Sequence, residues 1–160
     1  MNQHPTKEIK AHMHDCYYRE HMTARLKKTT FNTASFIQVI LGSTVMADVM
    51  NSWLLGFFIM ILSAYLFVFK PGEASGIARQ QSFEYEKIIH RSNSMSEDEI
   101  KTALIDLAEH DSDIPGHLVK PAYIRSLIAA GYATERIDKE ISTLTRWERF
   151  FAFVSGGIPR

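Results

Sequence analysis

The densest cluster of reactive side chains is His12-Met13-His14-Asp15-Cys16, with His4 and His21 on either side. On a helix, His12 and Cys16 lie one turn apart on the same face, which is the spacing of a two-ligand metal clip. Metal sites need three or four converging ligands and groups that orient them, and only this local pair is visible. The plainer reading is a solvated helix carrying scattered His, side chains that titrate near neutrality. The sequence has no Gly-rich phosphate loop, no His-Glu-x-x-His and no Gly-x-Ser-x-Gly. Its single Cys excludes an intramolecular disulfide. No catalytic residue, metal site or cofactor is expected, and the chain does not read as an enzyme.

Two further sets have chemistry of a different kind. Arg19, Arg25, Lys27 and Lys28 stand immediately before a long apolar run. They suit contact with anionic lipid head groups, or a ring that captures an anionic ligand if several copies assemble around an axis. Inside the run, Asn32, Ser35, Gln38, Gly42 and Ser43 fall within an arc of about 140° at about 100° per residue. Ile37, Ile40 and Leu41 lie opposite. An amide as deep as Gln38 needs a partner or water. The stripe therefore either lines a wet path between copies, with Asn32, Ser35, Gln38 and Gly42 as the lining, or makes hydrogen bonds within a dry bundle.

The elements that position these residues follow from where the charges are. Eighteen basic and eighteen acidic residues balance, which argues against a partner such as a nucleic-acid duplex. The mean hydropathy of -0.12 conceals a sharp segregation. Residues 29–69 hold one charged side chain, Asp48. As one helix this run would be about 60 Å long, twice a hydrocarbon core of about 30 Å. It divides at 48–52, giving spans 29–47 and 53–69. The expectation is an all-α membrane protein built on a two-span hairpin, with helical regions at 1–28 and 71–160. Lys70-Pro71 ends the second span. Six Lys or Arg flank the hairpin, including Lys70 and Arg79, and its turn has none, which places both termini in the cytoplasm. Ser52, Gly56 and Ser63 form a small-residue seam suited to close helix contact.

Helical spacing continues on both sides of the membrane. Tyr18, Met22 and Leu26 recur in the lead-in. After the hairpin, Ile77, Gln81, Tyr85 and Ile88 share a face of a helix at 73–91, broken by Ser92-Asn93-Ser94. Ser96 and Glu99 form a capping-box pattern before Ile100, Ala103, Leu104, Leu107 and Ala108. A turn at 111–115 leads to Pro121, which opens a short helix closed by Gly131. The last helix is read from Ile137, Ile141, Leu144, Trp147, Phe151 and Val154. Its Arg- and aromatic-rich end suits either the inner leaflet or packing on a neighbouring subunit.

This layout resembles the SLATT effectors, small bacterial membrane proteins with two spans and a cytoplasmic helical extension. The likeness rests on Arg25-Leu26-Lys27-Lys28, the tight hairpin at 48–52 and the helix after Lys70-Pro71. It extends through Ser96-Glu97-Asp98-Glu99-Ile100 with Leu104 and Leu107, the acidic turn ending at Pro115, and Pro121-Ala122-Tyr123. The resemblance implies an antiphage effector of the bacterial inner membrane that forms a pore or disrupts the bilayer. It further implies a trigger, a nucleotide second messenger made by a partner nucleotidyltransferase. A two-span monomer cannot enclose a water-filled path, so a homo-oligomer is expected, with a tetramer as the working stoichiometry. The rival readings are a non-conducting membrane anchor or scaffold and a holin-like protein.

Overall fold

From Lys7 to Leu41 the chain has neither Gly nor Pro, so nothing interrupts a helix once Thr6 has capped it. The computed structural model, which describes residues 5–47 and 52–157, accordingly carries one helix, α1 (Lys7–Met46), through the polar lead-in and the first apolar run. At about 1.5 Å per residue it is about 60 Å long. The chain returns along it as α2 (Ser52–Phe69) and α3 (Pro71–Arg91). The antiparallel register can be followed from end to end. Gln38 meets Ser63, Phe31 meets Gly72, the carbonyl of Ala24 meets Ser75, and Met13 packs with Tyr85. A Cβ added at Gly72 would come within 3.3 Å of the Phe31 ring. Between α2 and α3, Lys70 is left-handed (φ 41°, ψ 51°), and Pro71 starts the new helix where its missing N–H costs nothing.

Four further helices cover the polar half of this hairpin: α4 (Glu97–Ala108), α5 (Gly116–Ala129), α6 (Thr134–Ser142) and α7 (Arg146–Val154). Two small cores hold α4, α5 and α7, and α6 packs on α5. Met13, Tyr85, Ile100 and Leu104 join α1, α3 and α4. Met22, Leu26, Leu118, Ala122 and Ala152 join α1, α5 and α7, with Tyr18, Phe151 and Val154 packed against them. The architecture is all-helical, with no strand among the described residues.

The helical stretch Trp53–Ser94 contains an 18-residue window of mean hydropathy 2.0, and only 6% of that window is buried. Among the described residues it is the single stretch long and apolar enough to cross a membrane. The expected first span, 29–47, does not reach that apolarity because Asn32, Gln38 and its Ser and Thr residues dilute it. Those hydroxyls are handled locally: Thr30, Ser43 and Thr44 donate to the carbonyls of Leu26, Val39 and Ile40 in the preceding turn. Of the turn expected at 48–52, residues 48–51 with Asp48 lie outside the described residues, as does His4, and Ser52 opens α2.

The capping box at Ser96 is present. Glu99 Oε2 accepts from the Ser96 N–H at 2.7 Å, and the Glu99 N–H donates to Ser96 Oγ at 3.3 Å. Three local expectations are corrected. The buried face of α3 is Ser75, Ala78, Gln81, Ser82 and Tyr85, while Ile77 is 54% exposed. Pro121 does not open a helix but lies inside α5, which begins at Gly116. The fully buried Leu118 and Ala122, one turn apart on the core, hold the helix through the proline. The long final helix is two. Thr145 and Glu148 make a second capping box that starts α7, so Ile137 and Ile141 belong to α6 and Trp147, Phe151 and Val154 to α7. Gly131 (φ 72°) closes α5, with the Tyr132 N–H donating to the Leu127 carbonyl.

Candidate functional site

The four basic residues before the apolar run part company in the fold. Arg19 is paired with Asp15 at 2.6 Å on its own helix, and Lys27 reaches the Asp113 carbonyl at 3.5 Å. Arg25 and Lys28 instead line a cavity of about 270 Å3 between α1 and α3. His21, Arg25 and Lys28 sit at i, i+4 and i+7 of α1, and Ser75, Arg79 and Ser82 repeat that spacing on α3. The register set by the Ser75–Ala24 bond, 2.8 Å, brings the two rows face to face. Arg79 lies 5.4 Å from the Phe83 ring centre. Among the described residues, no carboxylate comes within 4.0 Å of Arg25, Lys28 or Arg79. His21 is held below its ordinary pKa by burial and then by Arg25, Arg125 and Arg79, against the opposing pull of Glu86.

Close by, Arg125 of α5 donates to the Gly156 carbonyl at 2.9 Å and covers the Tyr18 ring. Gly156 has φ 113°, and a Cβ there would come within 2.5 Å of Arg25 Nη1. The end of α7 thus walls one side of Arg25, and only glycine fits there. The sequence has no local sign that His21 and Arg79 are partners of Arg25, since they meet only when the hairpin register is carried from the apolar half into the polar half.

A second polar group is fully enclosed. Glu20 Oε1 accepts from the Ser112 N–H at 2.7 Å, while Oε2 has no partner among the described residues. Burial raises its pKa, and Asp111 adds to the rise. Asp111 itself accepts from the Tyr85 hydroxyl at 2.7 Å and from Gln81 Nε2 at 3.1 Å. A carboxyl whose proton is held more tightly in the folded chain lends stability at low pH that is lost as pH rises through the folded value. Glu20→Gln keeps the Oε1 acceptor and removes the charge. Its melting temperature relative to wild type is therefore expected to be higher at pH 8 than at pH 5. Each tenfold change in proton affinity is worth about 1.4 kcal/mol, or about 2–4 °C per kcal/mol at this size. Melts at the two pH values check this, and a difference that does not move with pH refutes it.

The His and Cys cluster disperses. His12 is exposed and lines a groove with Glu8, Tyr123 and Arg136, whereas Cys16 packs in the Tyr85 core. Burial, followed by Asp15 and Asp111, pushes the Cys16 thiol up to about 12, so it is not a thiolate nucleophile near neutrality. No three His, Cys, Asp or Glu side chains converge among the described residues.

Along the stripe, Gln38 Nε2 donates to Ser63 Oγ on α2 at 2.8 Å. Asn32 is exposed and Ser35 and Gly42 half-buried. A Cβ at Gly42 or at Gly56 would meet open space, so neither glycine is in close contact with the other helix of this chain. Below the stripe, Phe150, Phe151 and Val154 of α7 border an apolar groove with Thr29, Thr33 and Tyr65. Trp147, Phe150 and Phe153 remain exposed on α7 at this end of the apolar hairpin. Comparison with protein-family models, with curated proteins and with solved structures finds no match for this chain.

Proposed function

We propose that this protein is an oligomeric effector of the bacterial inner membrane that opens a path through the bilayer when triggered. The observation that carries the reading is the apolar helix after Trp53, whose most apolar window is 6% buried. A core helix of a water-soluble domain would be mostly covered, and one that leaves Phe57, Phe58, Met60, Ile61, Phe67 and Val68 outside needs lipid or other copies around it. The second half of α1 lies antiparallel beside it as the other span. Both ends of the hairpin carry the basic flank of a cytoplasmic face. Exposed Trp147, Phe150 and Phe153, interleaved with Arg146 and Arg149, suit the inner-leaflet interface at that same level.

The half-polar stripe on α1 is the candidate lining, and several copies, with four as the working number, are required to close it. The cytoplasmic helices are the sensor and assembly surface. A trigger must bind the open state better than the closed one, and the resemblance to SLATT effectors suggests a nucleotide made by a partner nucleotidyltransferase. The competing reading is a non-conducting anchor, favoured by the Gln38–Ser63 bond, which satisfies the deep amide within one chain.

Topology and assembly test the proposal together. In a Cys16→Ser background, a cysteine introduced at Ser94 is expected to label only from the cytoplasmic side. Native mass spectrometry from mild detergent should give a homo-oligomer. Periplasmic labelling at Ser94, or a monomer at every concentration, would overturn it.

A further inference from the structure

We infer that the cavity between α1 and α3 is a phosphoryl-binding site, filled by His21, Arg25, Lys28 and Arg79 acting together. Four cationic or protonatable side chains from two helices converge on one volume of about 270 Å3. Like charges gathered without a counter-charge repel, and an anion between them removes that cost. No carboxylate within 4.0 Å of Arg25, Lys28 or Arg79 among the described residues supplies one. The two serines of the wall do not compete as donors, because Ser75 donates to the Ala24 carbonyl and Ser82 to the Arg79 carbonyl. Among the described residues the donors left over are the guanidinium forks of Arg25 and Arg79, the Lys28 ammonium and Nε2 of His21, whose Nδ1 lies 3.4 Å from the Tyr17 hydroxyl; this set suits a tetrahedral dianion.

Size narrows the ligand. The volume is below the usual range for a drug-sized molecule, about 300–1,000 Å3. It takes a phosphate monoester group with whatever carries it lying outside, not a whole dinucleotide. Placement leaves two sources of the same chemistry. Lys28 is the last charged residue before the apolar run, so the site, on the membrane reading proposed above, lies at the depth of inner-leaflet head groups. On the same reading the cavity belongs to the cytoplasmic part of the chain, where a soluble phosphate ester would arrive.

The site carries its own pH dependence. His21 faces Arg25 and Tyr17 on α1, Arg79 and Glu86 on α3, and Arg125 on α5. The three arginines oppose its protonation, and Glu86 favours it. A bound anion offsets the arginines, so His21 gains a proton as the ligand enters. Sulfate, which does not itself titrate in this range, is therefore expected to bind more tightly at pH 6 than at pH 8.

The test uses the full chain in nanodiscs of zwitterionic lipid. Inorganic phosphate, against chloride at matched ionic strength, is expected to raise the melting temperature, and sulfate should do so more at pH 6 than at pH 8. A parallel arm replaces free phosphate by a fraction of phosphatidic acid in the disc. Stabilisation in the first arm alone identifies a soluble ester, in the second alone a lipid head group, and in both the bare phosphoryl group. Arg79→Gln and Lys28→Gln, both at exposed positions, should weaken the effective affinity at least tenfold, and Arg91→Gln should leave it unchanged. Stabilisation in neither arm, or stabilisation that persists undiminished in both cavity variants, overturns the site. The pore reading is untouched by either result, since topology and assembly are measured separately.

Discussion

Leu118→Ala is expected to lower stability by about 2–5 kcal/mol, a large share of what a single domain has to lose. Leu118 is fully buried where α5 meets α1 and α7, against Met22, Leu26, Ala122 and Ala152. Two of those four neighbours are alanines, which have no side chain to move into the space. The hole should therefore persist instead of collapsing, which puts the cost toward the upper part of the range. The consequence extends to the site, because α7 is seated on this core and its end walls Arg25. Ile105→Ala, at an exposed position on α4, should change stability by no more than about 0.5 kcal/mol. Thermal melts of the two variants in one detergent check the contrast. A loss below about 1 kcal/mol for Leu118→Ala would mean that α5 and α7 are not held by this core.

Gln38→Leu is expected to abolish triggered depolarisation while expression and oligomer size stay as in wild type. The side chain spends Nε2 on Ser63, which still leaves its carbonyl oxygen able to accept from water. If copies bring this position to a narrow point, a ring of Leu there raises the cost of water and ions passing it. Losing the interhelical bond should lower hairpin stability by only about 0.6–2 kcal/mol. Voltage-sensitive dye in cells and dye release from liposomes measure the first effect, and a melt measures the second. A normally assembled variant that still depolarises would mean that the stripe is not the conducting path and that the Gln38–Ser63 bond is a packing contact alone.

The hairpin and the capped helix starts could be read from the sequence because each depends on residues near one another in the chain. Residues 29–69 reveal their apolar character by composition, and Ser96 with Glu99 reveal a helix start by spacing. The same rule applied at Thr145 and Glu148 would have divided the final helix, but the continuous apolar spacing from Ile137 to Val154 masked the break. Pro121 misled for a related reason. A proline favours a first helical turn in isolation, and only the burial of Leu118 and Ala122 against α1 keeps it inside a helix.

By itself the sequence determined the helical class, the apolar run, its basic flanks and the stripe that contains Gln38. Those features depend on periodicity and composition along one chain segment. Tertiary structure alone decided which of Arg19, Arg25, Lys27 and Lys28 face a cavity, that Glu20 is enclosed, and that Cys16 and His12 face apart. Each of those outcomes turns on residues about fifty or more positions away: Arg79 for Arg25, Ser112 for Glu20, Tyr85 for Cys16 and Tyr123 for His12. Burial and electrostatic partnership are properties of a neighbourhood, and this neighbourhood is set by the register of two long helices and the docking of α5 and α7 upon them.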